Sequence, residues 1–293
     1  MRLSINHSVF GKIYRSTERV PLEESIRRCR DAGFEAIDFS MAGNTPERNI
    51  ILRDDPIAEA HKVRETCEKL GVVINQSHAR YDYNKLTPEE FEQQLLTTVD
   101  AAKILGAECV VVHADTYYDK DYNFDFDTVL GAIYDTFAPI VDRAKGVGVK
   151  IAMETLFEDR APQGKRARFT SLVDELDAIV SRFNDDTVGI CWDFGHAKVS
   201  HGTHQFEEMK KVGSKIISTH VHDNYCSKDL HLMPFLGYID WETGMKTLRE
   251  VGYKGDLTFE AVYGCMPDHL VMDYLRLWHK VGEFLVDRFE NAK

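Results

Sequence analysis

Short apolar, β-branched runs alternate with amphipathic stretches of helical length from one end of the chain to the other. The runs are RLSIN, EAIDFSM, VVINQSH, CVVVHAD, KIAMETL, VGICWDFGH, IISTHVHD and LTFEAVY, eight in all. Between them, three- and four-residue apolar spacing predicts helices over 21–32, 57–70, 88–105, 129–145, 171–183, 205–212 and 241–251, with a last long one from about 267. Thr87-Pro88-Glu89-Glu90 supplies an N-cap, a proline for the first turn and a reciprocal glutamate. In DAGFEAID, KLGVVIN, ILGAECVVV, GVGVKIAM and EVGYKGDLTF a glycine stands shortly before the next strand, as a left-handed helix end requires.

Eight βα units of about 35 residues, with no linker or low-complexity tract between them, predict one closed (β/α)8 TIM barrel over residues 1–293. An open doubly wound sheet fits less well, because no G-x-G-x-x-G follows the first strand and no P-loop pattern occurs. In a barrel the chemistry belongs at the C-terminal ends of the strands. That rule turns the strand runs into a search list.

Composition narrows the function classes. A net charge of -12 argues against a surface that tracks a nucleic-acid backbone, which needs clustered lysine and arginine. The six cysteines have no C-x-x-C spacing, so neither a zinc ribbon nor a disulfide framework is expected, and a reducing cytoplasm fits. No run approaches the roughly 20 apolar residues of a membrane span, and MRLSINHSVFGK has no apolar signal-type core. The expectation is a soluble cytoplasmic protein; a homo-oligomer is compatible with the sequence but not written in it.

The strand ends carry His78, His113, Glu154, Asp193, His196, His220, His222 and Glu260. Taken singly, each has an ordinary structural reading: a hydrogen-bonded histidine, an ion-paired glutamate, or a helix cap for Asp193. Taken together they recur in the same phase of successive units. Three carboxylates converging on one barrel mouth repel one another and are costly to bury, and a divalent cation is the simplest compensator. Period two in a strand places His220 and His222 on one face, with Val221 on the other. Trp192 should point away from Asp193 into the layer between barrel and helices. The loop EDRAPQGKRARFT, with Arg160, Lys165, Arg166 and Arg168, is either an anion grip or a solvated basic loop. TYYDKDYNFDF is either a wall over a sugar or packing for the rim.

METLFE, CWDFGH, HVHDN, GYIDW and GYKGDLTFEAVY, in this order and spacing, resemble the sugar phosphate isomerase/epimerase superfamily of xylose-isomerase-like barrels, which also contains endonuclease IV. The resemblance spans essentially the whole chain. In the ketose 3-epimerase branch it implies one divalent metal held by Glu154, Asp193, His222 and Glu260, with Glu154 and Glu260 as acid and base. It also implies substrate contacts at His196 and Lys228, and the strand-end positions of His220, His113 and His78 make them further expected substrate-binding residues. A further substrate glutamate of that branch is absent, since Arg160 stands in its place and Glu158 is two residues early. In the endonuclease IV branch, QSHARY, VVHAD and DLH imply that His78, His113, Asp229 and His231 complete a multi-metal cluster. DLHLMPFLGYIDW also resembles bacterial relatives outside the nuclease branch, so that segment alone is no nuclease mark.

The expected function is metal-dependent isomerisation or epimerisation of a ketose or sugar phosphate by proton abstraction next to a carbonyl. A β-eliminating lyase of inosose-dehydratase type would use the same site, and a multi-zinc phosphodiester hydrolase is the alternative from another class. Three carboxylates and one imidazole favour manganese, with magnesium or cobalt next; zinc gains ground if the extra histidines also bind. The expected partner is a small-molecule sugar or sugar phosphate, with no membrane and no nucleic acid.

Overall fold

The computed structural model describes residues 1–10, 19–117, 121–159, 161–225, 228–262 and 266–292. Arg160, Cys226 and Cys265 lie outside the described residues. One parallel sheet contains β1 (Leu3–Asn6), β2 (Ala36–Ser40), β3 (Val73–His78), β4 (Cys109–Val112), β5 (Lys150–Glu154), β6 (Val188–Asp193), β7 (Ile216–His220) and β8 (Leu257–Phe259). Neighbours follow chain order from β1 to β7, and β8 pairs with β1. Between β7 and β8 a parallel bridge, Val221 to Phe259, draws the sheet round on itself. The architecture is a (β/α)8 barrel, as the alternation predicted.

The helices α1 (Leu22–Asp31), α2 (Pro56–Leu70), α3 (Pro88–Leu105), α4 (Phe126–Val147) and α5 (Val173–Phe183) each connect consecutive strands. α3 starts on the predicted reciprocal cap between Thr87 and Glu90, and Gly71, Gly106 and Gly148 end α2, α3 and α4 in left-handed conformation. Between β6 and β7 the chain makes two helices, α6 (Phe194–His201) and α7 (Gln205–Val212), then α8 (Trp241–Glu250) and the terminal α9 (Asp268–Asn291) complete the shell. The sequence reading ran the sixth strand through His196. In the structure the strand stops at Asp193, whose carboxylate accepts the His196 backbone N–H at 2.6 Å and starts α6.

Two apolar layers result. The larger lies between strands and helices and includes Ile5, Phe39, Val112, Trp192 and Phe259, with Trp192 fully buried there as expected. A small one inside the barrel contains Cys109, Val111, Ala152 and Cys191. Among the described residues no helix is long and apolar enough to cross a membrane.

Candidate active site

The barrel mouth opens into a cavity of about 800 Å³ whose wall includes His78, His113, Glu154, His196, Asp229, His231 and Glu260. A space of that size suits a small organic ligand.

Glu154, at the end of β5, is the hub. One of its oxygens lies 3.1 Å from His78 Nε2 and 3.0 Å from His113 Nε2; the other lies 3.1 Å from His196 Nδ1 and 3.4 Å from His220 Nδ1. Burial disfavours its charge, but the fields of His113 and His220, with hydrogen bonds from His113 and His196, outweigh burial and hold the carboxyl well below the usual range. His113 responds the other way. Its burial outweighs Glu154 and lowers its pKa.

His220 Nδ1 also lies 3.7 Å from Asp193 and 3.6 Å from Glu260, so one ring nitrogen faces three carboxylates. His222 faces a different group: its Nε2 is 3.1 Å from Asp193 and its Nδ1 3.8 Å from Asp229. The ligand set inferred from the resemblance used His222, the second histidine of the pair. His220 Nδ1 is the imidazole nitrogen near all three of Glu154, Asp193 and Glu260, whereas His222 is grouped with Asp193 and His196 and with Asp229 and His231. His222 instead packs against α6, where a Cβ on Gly195 would come within 1.9 Å of its ring; only glycine admits that approach.

Asp229 and His231 enter from the loop between β7 and α8. His231 Nε2 donates to Asp229 at 2.9 Å, and its Nδ1 lies 3.5 Å from the Glu260 carboxylate. Burial works against charge on His231, but the Asp229 hydrogen bond and the Glu260 and Asp229 fields raise its pKa to about 9. The backbone at His231 is left-handed, with φ of 48°, a conformation costly for a non-glycine residue and common at functional sites.

Asp223 organises this loop. Its carboxylate accepts from the backbone N–H of Asn224, Phe235 and Ile239 and from Trp241 Nε1, at 2.9 to 3.1 Å. A Cβ on Gly237 would stand 2.2 Å from Asp223 Oδ1, so the glycine of GYIDW is required by close approach. Asp240 caps α8 by accepting from Thr243 N–H. The segment from HVHDN to GYIDW is therefore a self-bonded loop that carries Asp229 and His231. Asp223→Ala is expected to lower unfolding stability by about 3 kcal/mol, since buried donors lose a charged acceptor. Urea unfolding of the variant measures this.

Other expectations resolve by contact. Lys228 is exposed and lies outside the cavity wall. Arg166 is bound to Glu175 at 2.6 Å, and Arg168 to Asp115 and Asp159 at 3.0 and 3.1 Å, so these two arginines of the basic loop are internally paired. Phe124 and Phe126 pack on Phe169 rather than on the cavity. Tyr81 and Asp38 are among the cavity residues that the sequence does not single out. Tyr81 stacks on His113 at 4.7 Å between ring centres, three residues after His78 in QSHARY. Asp38, an acid set inside the apolar run EAIDFSM, is buried at the cavity wall 3.6 Å from His220 Nε2, and that misplaced acid was the available signal.

The arrangement suits metal ions. Among the described residues, ligand atoms within 4.8 Å of one another form five groups: Glu154, Asp193 and His220; Asp38, His220 and Glu260; Asp193, His196 and His222; His78, His113 and Glu154; and His222, Asp229 and His231. Both ring nitrogens of His220, His222 Nδ1 and Asp229 Oδ1 are buried without a hydrogen-bond partner, and a cation is the partner that His220 Nδ1, His222 Nδ1 and Asp229 Oδ1 fit.

The profile of the family described as xylose isomerase-like TIM barrel matches residues 26–279, and the chain belongs to that family. Among sequence relatives, the uncharacterised protein y4fM of Sinorhizobium fredii is 27% identical over 270 residues, covering 82% of this chain and 81% of its own. Among solved structures, a D-tagatose 3-epimerase-like protein superposes with a TM-score of 0.76 at 21% identity, covering 99% of this chain and 97% of its own. An L-ribulose 3-epimerase gives 0.74 at 17%, covering 99% and 95%, and the IolI protein with a bound zinc atom gives 0.73 at 17%, covering 100% and 99%. These likenesses concern the fold.

Proposed function

We propose that the protein is a divalent-metal-dependent isomerase or epimerase of a ketose or sugar phosphate, acting on the proton next to the carbonyl. The observation that carries this reading is the placement of His220 Nδ1 at 3.4 to 3.7 Å from Glu154, Asp193 and Glu260, directly beside the cavity. These four residues would hold the ion, and their three carboxylates favour manganese, magnesium or cobalt. When bound, such an ion supplies Lewis-acid polarisation of a carbonyl and its neighbouring hydroxyl.

The residues themselves do the rest. Glu260 is the more accessible carboxylate, its side chain 18% exposed to the cavity, and it removes or returns the proton. Glu154 lines the same cavity and faces the same His220 Nδ1, at 3.4 Å against 3.6 Å for Glu260, and with the ion between them the two carboxylates would serve opposite faces of one carbon, as epimerisation requires. His196, held by the Thr155 carbonyl at 2.9 Å, and Tyr81 orient substrate hydroxyls on the rim. The family and the epimerase names among its structural neighbours support the reaction class.

A multi-metal hydrolase has one observation in its favour: the two additional groups around His113 and His231. Against a nucleic-acid substrate stand the net charge of -12 and the internal pairing of Arg166 and Arg168. A β-eliminating lyase shares the first step and separates only by product.

Two measurements test the reading. Elemental analysis of the purified protein is expected to give a single manganese-like ion per chain, and incubation with a panel of ketoses in D2O is expected to show exchange next to the carbonyl. Three zinc ions per chain with no exchange on any sugar would replace the reading by the hydrolase.

A further inference from the structure

Barrel interiors of this kind are normally filled by branched apolar side chains. This one carries a polar chain that reaches the cavity wall at Asp38. Ser4 Oγ donates to Asn75 Oδ1 at 2.7 Å, Asn75 Nδ2 to Thr258 Oγ1 at 3.0 Å, Thr258 Oγ1 to Gln76 Oε1 at 3.3 Å, and Gln76 Nε2 to Asp38 Oδ2 at 3.4 Å. All five side chains are buried. A register shift between β2 and β3 at Ile37/Asp38 leaves Asn75 as the extra residue, which lets the consecutive Asn75 and Gln76 join one network. Every link donates in the same sense, so the dipoles run across the barrel and end on the Asp38 carboxylate.

Asp38 reaches the cavity wall and lies in one group with His220 and Glu260, their ligand atoms within 4.8 Å of one another. Its Oδ1 has no hydrogen-bond partner, and its Oδ2 lies 3.6 Å from His220 Nε2, an electrostatic contact a few tenths of an ångström beyond hydrogen-bond length. Nε2 is the ring atom opposite the Nδ1 that faces Glu154, Asp193 and Glu260. A carboxylate behind a ligating histidine sets which nitrogen carries the proton and which way the ring points. Packing alone would place valine or isoleucine here, so a buried acid fed by four aligned donors marks a requirement of the ring beside it.

We propose that Asp38 is a positioning residue. It keeps the His220 proton on Nε2 and so presents Nδ1, as a lone pair, to the three carboxylates and the cation they would share. This rests on the metal-site part of the proposed function and not on the reaction.

The test is calorimetric titration of metal-stripped protein with Mn2+, without sugar. Asp38→Ala is expected to weaken the first ion about 10- to 100-fold. Asp38→Asn, which keeps the volume and an acceptor oxygen, should lose less, and Thr258→Val, which breaks the chain two links away, less again. In ¹⁵N-histidine spectra of the Mg2+-loaded protein, His220 should carry its proton on Nε2 in the parent and lose that preference in Asp38→Ala. If Asp38→Ala does not fold, Asp38→Asn carries the titration and the spectra. Unaltered affinity with an unaltered tautomer overturns the inference, and so does a fall in the number of ions bound at unchanged affinity, which would make Asp38 a ligand itself. Weakened binding with no exchange on any ketose leaves Asp38 in this role and removes the reaction; normal exchange with unaltered binding does the reverse.

Discussion

His220→Ala is expected to lose the first divalent ion, with affinity falling at least about 100-fold, while His222→Ala retains it. The two histidines are two residues apart, fully buried and of one phase along the chain, so their difference is a test of geometry rather than of residue type. His220 Nδ1 stands among Glu154, Asp193 and Glu260, and removing it leaves three carboxylates facing one another without an imidazole. His222 touches Asp193 and reaches toward Asp229, so its loss falls on the His231 side of the site. Metal content after dialysis, followed by titration of stripped protein, separates the two. The opposite order of effects would return the ligand role to His222.

The second large effect is at Glu260. Glu260→Gln keeps the size and polarity of the side chain but cannot take a proton, and exchange next to the carbonyl is expected to fall about 100- to 10,000-fold. Stability should change little, because Glu260 is the partly open member of the carboxylate set. Glu154→Gln should behave differently. Its oxygens meet four imidazoles, so the variant loses metal and folding stability together, by several kcal/mol. Nuclear magnetic resonance of the sugar in D2O, paired with thermal unfolding, reads both. Parent-like exchange in Glu260→Gln would sink the assignment of proton transfer to this residue.

Much of the molecule was legible in one dimension. Periodicity is a local property, and eight apolar runs separated by helical stretches leave few architectures besides a barrel. The strand-end rule picks out His78, His113, Glu154, Asp193, His196, His220, His222 and Glu260 without any contact being known, because in a barrel all strand ends meet at one mouth, but it does not choose between His220 and His222. The error over α6 has a plain cause: the run VGICWDFGH stays apolar past Asp193, and only the cap from Asp193 to the His196 N–H shows where the strand stops. The basic loop and the aromatic segment were ambiguous because ion pairs and stacking partners, such as Asp115 for Arg168 and Phe169 for Phe124, are distant along the chain.

The sequence by itself determined the barrel, its element order and the identity of the chemical groups at its mouth, since these follow from period and phase. The tertiary structure decided how those groups are shared. It turned His220 toward three carboxylates and His222 toward Asp193 and Asp229, and it brought Asp38 beside His220 Nε2 at the end of a chain of side chains from four strands. Ring orientation and the partners behind it depend on distances between residues far apart in the chain, such as Asn75 and Thr258, 183 positions apart, and no local pattern encodes them.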